Sequence, residues 1–325
     1  MIRLAEVSPQ FQREVPLRRF TTLRAGGSAE MFVRANSANT LRSIAERAHC
    51  EDSQVTLLGS GSNVLPSDSG VPGLTVLNRA QNIEIFPDGV VLADTGCALQ
   101  ELFLKCLQSG LRGLEFGVGI PGTLGGALVS NAGAYRSNIS AYLTELEVVA
   151  DGEAKTVAPE VMQFRYRDSI LRRGSAPRLA LIRAKLKLPY GSVREGYSEA
   201  RDYQRQRISK QPPQASAGSF FKNVESRELA ERLESLPVRL KEAGVVPAGY
   251  LIEHAGLAGF EHSGAKFSRK HANFIVNVRN ASATAIRELA EIAKALVLDK
   301  FGVVLEEEVL YLGDWRGFDS KTILP

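Results

Sequence analysis

The stretch Gly117-Val-Gly-Ile-Pro-Gly-Thr-Leu-Gly-Gly-Ala-Leu-Val-Ser-Asn-Ala-Gly-Ala-Tyr135 contains six glycines within nineteen residues. Because glycine has no Cβ, successive N–H groups can converge on one anion and the main chain can approach it closely. A second glycine-rich turn, Gly59-Ser-Gly-Ser-Asn63, directly follows the strand pattern Val55–Leu58. Two such turns indicate a ligand with a pyrophosphate and more than one polar end. The alternative is a pair of ordinary tight turns.

Several nucleotide-binding and hydrolase motifs are excluded. Gly117–Gly122 matches G-x-G-x-x-G formally, but the preceding segment Leu111–Phe116 is a poor strand, so we interpret the match as accidental. The chain contains no G-x-x-x-x-G-K-[ST] motif and no G-x-S-x-G elbow, which argues against P-loop NTPases and serine hydrolases. No metal site is predicted, because the four histidines lack metal-ligand spacing.

The composition is that of a globular protein. The chain has 325 residues, of which 44% are apolar and 23% charged, and its length predicts about two domains. The net charge of +4, from 40 basic and 36 acidic residues, is spread without a basic arm. Nucleic acid is therefore not an expected partner.

The sequence also carries expectations about location. The three cysteines, Cys50, Cys97 and Cys106, are too few and too irregular for a disulfide framework and fit a reducing compartment. No apolar stretch approaches the ~20 residues that span a bilayer, and the first twenty residues do not resemble a signal peptide. We expect a cytoplasmic protein that does not bind membranes and is a monomer.

Helix and strand patterns alternate along the first half of the chain. We predict an amphipathic helix around Leu41–Ala48, capped by Ser37 or Asn39, and a second helix around Leu99–Cys106 with Gly110 beyond its end. The predicted strands are Val55–Leu58, Val90–Ala93 and Arg178–Leu188, and Leu146–Val157 is predicted to be a hairpin with a type I′ turn at Asp151-Gly152.

The polar segment Gly196–Gln214, with Pro212-Pro213, is interpreted as the domain linker. The elements predicted beyond it are a helix at Glu225–Lys241 interrupted by Pro237, a strand at Asn273–Val278, a helix with an apolar stripe from Ile286 through Leu296 and Val297 that Gly302 ends, and a strand at about Val303–Leu312. The predicted fold class is α+β with two lobes.

Three polar segments could carry chemistry. Ser219, between Gly218 and two phenylalanines, is either a proton donor or a loop serine that satisfies a main-chain group. Arg167 could clamp a carboxylate or form an ion pair with Asp168. Glu306-Glu307-Glu308 alternates between the two faces of the last predicted strand, so at least one of these carboxylates is expected in solvent.

Eight motifs occur in the order of one known family. They are Thr21-Thr-Leu-Arg-Ala-Gly-Gly27, Gly59-Ser-Gly-Ser-Asn-Val-Leu65, Gly119-Ile-Pro-Gly-Thr-Leu-Gly-Gly-Ala127, Asn131-Ala-Gly-Ala-Tyr135, Tyr166-Arg-Asp-Ser169, Gly218-Ser-Phe-Phe-Lys-Asn223, Leu251-Ile-Glu-His-Ala-Gly-Leu257 and Leu305-Glu-Glu-Glu-Val309. Over about residues 16–313 the chain resembles the UDP-N-acetylenolpyruvoylglucosamine reductases (MurB) of bacterial cell-wall synthesis.

The resemblance implies a two-part FAD-binding region of the vanillyl-alcohol-oxidase (PCMH) type, residues 1–205 with subdomains at about 1–75 and 76–205. A smaller α+β substrate-binding domain, residues 206–325, would follow. By the same resemblance FAD is held by the two glycine turns and the segment after them. The implied cofactor residues are Gly59, Ser60, Gly61, Ser62, Asn63, Gly119, Ile120, Pro121, Gly122, Gly125, Gly126, Ala127, Asn131 and Gly133.

The resemblance further implies that NADPH reduces the flavin, which then passes a hydride to the vinyl carbon of UDP-N-acetylglucosamine enolpyruvate. Arg167 would neutralise the enolate-like dianion, Glu308 would help hold the enolic form, and Ser219 would protonate C2. Lys210 and Asn223 would bind the UDP-sugar.

The chain departs from the family pattern at a few positions. Glu307 stands where proline is common, Leu310 where arginine is common, and Val224 where proline often follows. The missing arginine removes one expected substrate contact. The loop that carries a substrate-binding tyrosine in one subgroup also looks absent. Two alternatives stay open: another FAD-dependent oxidoreductase of the same flavin fold, and a non-catalytic flavin- or nucleotide-sugar-binding protein.

Overall fold

The computed structural model describes residues 11–176 and 178–319, and these form two compact units. The first unit contains the described residues up to Val15, Ala29–Gly61 and Pro72–Ser209. The second contains Pro16–Ser28, Ser62–Val71 and the described residues from Lys210. The chain therefore passes between the units within the turn Gly59–Asn63. No helix of the described residues is long and apolar enough to cross a membrane.

The first unit is built on two sheets. The four-stranded sheet has the order β1-β2-β5-β3, and its strands are β1 (Gln12–Pro16), β2 (Ser28–Ala35), β5 (Val71–Asn78) and β3 (Val55–Leu58). The five-stranded sheet has the order β11-β10-β12-β7-β6, and its strands are β11 (Glu153–Val157), β10 (Leu143–Ala150), β12 (Leu179–Lys187), β7 (Val90–Asp94) and β6 (Ile83–Ile85). The first unit thus has two separate sheets.

Helices cover these sheets and define two cores. The helices are α1 (Ala38–Cys50), α2 (Leu99–Gln108), α3 (Leu124–Val129) and α4 (Val193–Lys210), and a small hairpin joins β8 (Gly133–Ala134) to β9 (Ser137–Asn138). One core includes Leu41 and Ile44 of α1, and the other includes Leu102 and Phe103 of α2. Helices α1 and α2 therefore each bury the apolar face that the sequence period predicts.

The predicted caps and turns of this unit are confirmed in detail. Ser37 caps α1 by accepting a hydrogen bond from the Thr40 N–H at 3.1 Å. The hairpin between β10 and β11 has φ of +52° at Asp151 and +80° at Gly152, which is the type I′ pattern. Residues 115–117 form a 3-10 turn, so no strand directly precedes Gly117 and the dinucleotide fingerprint is indeed accidental.

The second unit is a smaller α+β assembly. Its helices are α5 (Arg227–Arg232), α6 (Val238–Ala243), α7 (Ala248–His254) and α8 (Ala283–Phe301). Its strands are β4 (Val64–Pro66), β13 (Val224–Glu225), β14 (Val245–Val246), β15 (Glu261–His262), β16 (Ala265–Phe267), β17 (Ile275–Asn277) and β18 (Leu310–Leu312). One core joins α8 to the two aromatic residues Phe220 and Phe221. The α+β fold class is confirmed.

Three expectations for local structure are wrong. The segment Gly196–Gln214, interpreted as the domain linker, does contain the boundary between the two units, after Ser209, but most of it is helical, because α4 runs to Lys210 and buries only Gly196 and Ala200. A helix that is polar nearly all round shows little apolar period, which explains the misinterpretation. Of the predicted final strand only Leu310–Leu312 is extended in a ladder. Leu296 is 41% exposed rather than part of the buried stripe on α8.

An arginine surrounded by aromatic rings joins α8 to the residues after β18. The guanidinium carbon of Arg287 lies 4.6 Å from the centre of the Tyr311 ring, 4.7 Å from that of Trp315 and 4.1 Å from that of Phe318. Its buried Nε and Nη1 have no hydrogen-bond partner among the described residues. The ring faces therefore supply the main stabilisation of this cation.

Arg287→Ala is expected to lower the free energy of unfolding by about 2 kcal/mol, because a desolvated cation–π contact would be lost. Urea unfolding followed by circular dichroism measures the change. The emission of Trp315, the chain's single tryptophan, reports the same site. Arg239→Ala, at an exposed position on α6, is the control. Equal unfolding midpoints for the two variants would contradict the prediction.

Candidate active site

The two glycine turns meet within the first unit. A Cβ added at Gly59 would collide with Oγ1 of Thr123 and lie 3.2 Å from its Cγ2. Thr123 caps α3 by accepting a hydrogen bond from the Gly126 N–H at 3.3 Å. Gly125 packs on Thr95, where an added Cβ would lie 3.0 Å from the carbonyl oxygen. The absence of a Cβ at Gly59 therefore lets the two turns approach each other, and Gly125 allows close packing on Thr95.

The other residues of the second glycine turn are fixed by positive φ angles and by hydrogen bonds. Gly119 and Gly122 have φ of +69° and +147°, which favours glycine. The Gly119 N–H donates to Oε1 of Gln100 at 3.0 Å, and the Gly122 carbonyl accepts from the Leu99 N–H at 3.0 Å. Ile120, Pro121 and Ala127 complete this turn.

Asn131 has an unsatisfied buried acceptor. Its Nδ2 donates to the Arg165 carbonyl at 3.0 Å, which fixes the orientation of the amide, and its Oδ1 has no hydrogen-bond partner among the described residues. A buried acceptor without a donor is costly, so a ligand with an N–H or O–H group would stabilise it. The imide N–H and hydroxyls of FAD are donors of this kind. The residues present therefore fit the cofactor.

Arg167 lies against the same segment. Its Nη2 donates to the Gly133 carbonyl, and a Cβ added at Gly133 would lie 2.7 Å from Cβ of Asn138. Asp168, the alternative partner in the sequence, forms an ion pair with Arg173. Four non-glycine residues here have positive φ, and such strain is concentrated at functional sites. They are Asn131, Tyr135, Arg136 and Arg167.

Arg207 of α4 is a residue of this site that the sequence patterns did not identify. Its Nη2 donates to the Phe116 carbonyl at 3.1 Å, and its Cδ lies 3.2 Å from the position of an added Cβ at Gly119. Burial lowers the pKa of Arg207, and the positive charge of Arg167 lowers it further. Two guanidinium groups thus give the glycine turn a positive field that favours an anion.

The second unit brings together three of the predicted segments. The Phe220 carbonyl accepts from the Glu308 N–H at 2.7 Å, and Phe221 bridges Glu307 in antiparallel register. Nδ2 of Asn63 donates to the Glu308 carbonyl at 2.9 Å. Ser219 and Glu308, far apart in sequence, therefore lie on neighbouring main-chain segments beside Asn63.

Ser219 has the features of a free hydroxyl rather than of a capping serine. It is half-buried, and no hydrogen bond of its hydroxyl to another described residue is observed. Gly218 before it has φ of +77°, while Phe220 and Phe221 after it are each 1% exposed. The aromatic anchors fix this turn and leave the hydroxyl available for a ligand.

Asn273 is the buried residue that holds this turn, and no sequence pattern indicated it. Its side chain accepts from the Phe221 N–H at 3.0 Å and donates to the Phe221 carbonyl at 2.8 Å. Its own carbonyl accepts from the Phe220 N–H at 2.7 Å. The amide side chain of Asn273 thus pairs with the main chain of Phe221 as a neighbouring strand would. Hydrophobic periodicity gives no sign of such a contact.

The remaining predicted residues are less closely connected. Lys210 is exposed at the end of α4. Oδ1 of Asn223 accepts from the Ala248 N–H at 3.3 Å, so this side chain also supports the start of α7.

Among the three glutamates, Glu306 is the exposed one and forms an ion pair with Lys222, while Oε1 of Glu307 lies 3.0 Å from Nζ of Lys294. The expectation that at least one carboxylate is in solvent is confirmed.

Comparisons with known proteins match both parts of the chain. The family model described as UDP-N-acetylenolpyruvoylglucosamine reductase, C-terminal domain, matches residues 210–312, and an FAD binding domain model matches residues 29–158. A UDP-N-acetylenolpyruvoylglucosamine reductase of Prochlorococcus marinus is 34% identical over 94% of this chain and 99% of its own length. One of Shouchella clausii is 36% identical over 90% of this chain and 88% of its own.

A solved structure is similar over the same range. The crystal structure of the reductase MurB from Thermus caldophilus matches with a TM-score of 0.73 and 29% identity, and the match covers 93% of this chain and 98% of that one. Sequence identity above 30% over nearly the whole length of a relative, together with both family models, settles the relationship. The chain belongs to the UDP-N-acetylenolpyruvoylglucosamine reductase family.

Proposed function

We propose that this chain reduces UDP-N-acetylglucosamine enolpyruvate to UDP-N-acetylmuramate, a peptidoglycan precursor, with FAD as bound cofactor and NADPH as hydride donor. The observation that carries the proposal is the pairing of the Ser219 segment with the Glu308 segment next to Asn63. A flavoenzyme for another substrate would need the glycine turns but not this pairing. A non-catalytic binding protein would not need a free hydroxyl on such a rigid turn.

Most of the residues proposed to hold FAD lie in the first unit. The proposed residues are Gly59, Ser60, Gly61, Ser62, Asn63, Gly119, Ile120, Pro121, Gly122, Gly125, Gly126, Ala127, Asn131 and Gly133, of which Ser62 and Asn63 belong to the second unit. Bound FAD would supply the hydride-transfer chemistry between NADPH and the vinyl carbon of the substrate. Arg207 adds positive charge beside Gly119 and favours the anionic part of the cofactor.

The remaining residues act on the substrate. Hydride addition to the vinyl carbon leaves negative charge next to the substrate carboxylate, and Arg167 neutralises it. Glu308 orients the enolic form, and Ser219 gives its hydroxyl proton to C2, which completes the saturated lactyl ether. Lys210 and Asn223 bind the UDP-sugar, Asn223 through the amide nitrogen that its contact with α7 leaves available.

Anaerobic absorbance of the purified protein tests the proposal. NADPH should bleach the flavin band, and UDP-N-acetylglucosamine enolpyruvate should restore it with formation of UDP-N-acetylmuramate. Bleaching without recovery would contradict the proposed substrate, and a protein that takes up no FAD would contradict the whole proposal.

We also propose that the protein is a cytoplasmic monomer, in line with its three free cysteines. Light scattering after gel filtration tests the monomer.

Arg167→Ala is expected to slow recovery of the flavin band by enolpyruvate 10²- to 10³-fold, because one charged donor to the developing anion is lost. Bleaching by NADPH should stay within about twofold, since the role proposed for Arg167 belongs to the step on the substrate. Arg165→Ala is the matched control, because this exposed arginine lies in the same segment and its contact with Asn131 is made by its main chain. Equal rates of recovery in the two variants would remove Arg167 from the mechanism.

A further inference from the structure

The second unit contains a basic cavity that none of the roles above uses. Its volume is about 870 Å³, which is within the range of small-molecule sites. Three arginines line it, Arg18, Arg19 and Arg24, together with Asn280 and Ser282 from the turn before α8. None of these residues is assigned to FAD or to the UDP-sugar.

Local structure fixes the main chain of the loop that carries the arginines. Leu17 is fully buried and its N–H donates to the Gly27 carbonyl at 2.9 Å, which anchors the 3-10 turn that carries Arg18 and Arg19. Arg24 has φ of +55°, and its N–H donates to the Thr21 carbonyl at 3.2 Å. A tight loop therefore holds all three arginines along one cavity.

These three charges are not neutralised by the protein. None of Arg18, Arg19 and Arg24 forms an ion pair with a carboxylate of residues 11–176 or 178–319. Like charges that share a cavity repel each other, so an anion that enters it is stabilised by all three. All three side chains are exposed and in contact with water, but they line one cavity rather than separate parts of the surface.

The acidic residue that lines the cavity has partners of its own. Oδ1 of Asp68 accepts from the Ala283 N–H at 2.9 Å, and Oδ2 accepts from the N–H and the hydroxyl of Thr284, each at 2.8 Å. The start of α8 thus holds this carboxylate and offsets its charge. The cavity keeps an excess of positive charge.

We propose that this cavity binds a small polyphosphate anion, such as the diphosphate of a nucleotide, separately from FAD and substrate. A guanidinium fork matches the oxygens of a phosphate group in two parallel hydrogen bonds, and three forks match a ligand with two linked phosphates. The side-chain amide of Asn280 adds neutral donors. The space exceeds that of a single phosphate and accommodates the remainder of a nucleotide. The inference does not rest on the proposed function.

Calorimetric titration of the FAD-loaded protein with inorganic pyrophosphate tests the site. Arg18→Ser/Arg19→Ser/Arg24→Ser is expected to weaken binding at least tenfold, and raising NaCl from about 50 to 300 mM should weaken binding to the unmodified protein. The control Arg13→Ser/Arg194→Ser/Arg239→Ser removes the same charge at exposed positions elsewhere. Flavin content and the NADPH half-reaction should stay unchanged in both variants and so report intact folding.

Absence of pyrophosphate binding to the unmodified protein would overturn the proposal. Equal weakening of pyrophosphate binding in the two triple variants would also overturn the proposal, since it would indicate a general charge effect. If the cavity variant loses flavin, Arg19→Glu alone serves as the second test, because it reverses one charge on an exposed side chain. Pyrophosphate binding to this variant should also be at least tenfold weaker, and unchanged binding would overturn the proposal.

Discussion

Ser219→Ala is expected to reduce turnover 10²- to 10⁴-fold, the range over which a positioned general acid contributes. The loss should fall on the half-reaction with enolpyruvate, because the proton goes to the substrate. Bleaching of the flavin by NADPH should remain within about twofold of the unmodified protein. Stopped-flow absorbance of each half-reaction measures both rates separately.

The structure offers a matched control on the same segment. Ser216 bridges Val276 through its main chain, so Ser216→Ala removes a hydroxyl without disturbing that pairing. Ser219→Cys keeps an ionisable proton and should recover part of the activity. If Ser219→Ala slows recovery of the flavin band less than about fivefold, another group provides the proton and Ser219 is only a loop residue.

Asn273→Leu separates positioning from chemistry at this turn. The substitution removes the two hydrogen bonds that clamp Phe221, so the main chain next to Ser219 loses its fixed position. The rate with enolpyruvate should fall while the solvent pH profile keeps its shape, because the proton donor itself is unchanged. A change of pH profile would show that Asn273 takes part in proton transfer.

Local signals in the sequence predicted those parts of the fold that neighbouring residues determine. The Ser37 cap, the type I′ turn at Asp151-Gly152 and the end of α8 at Gly302 each depend on a few consecutive residues, and each is present. The polar helix α4 was misinterpreted as a linker because its partners are supplied by distant segments. Tertiary contacts decided that element.

The candidate site likewise contains residues that local sequence patterns identified and residues that they did not. Glycine turns and the order of motifs indicated where FAD and substrate chemistry would lie, yet nothing local indicated that Gly59 would pack on Thr123 or that Glu308 would pair with Phe220. Asn273 and Arg207 were not identified, because each acts through contacts with residues distant in sequence. Such residues can be identified only from the folded structure, in which the distant segments are in contact.

Gly59→Ala is expected to yield protein with less than about a tenth of the normal flavin content. The new Cβ would collide with Oγ1 of Thr123, and the close contact with Cγ2 at 3.2 Å leaves that side chain little room to turn. The two turns would then separate, and the backbone cradle for the cofactor would be lost. The ratio of absorbance at the flavin band to that of the protein measures the occupancy.

The double variant Gly59→Ala/Thr123→Ala tests the cause. Removing Oγ1 and Cγ2 of Thr123 relieves the collision, so the flavin content should rise well above that of Gly59→Ala. Thr123→Ala alone loses the cap of α3, at a cost of about 1 kcal/mol, and should keep its flavin. A double variant as empty as Gly59→Ala would mean that the glycine is needed for direct approach of the cofactor, not for packing between the turns. The two explanations are thereby distinguished by one measurement of absorbance.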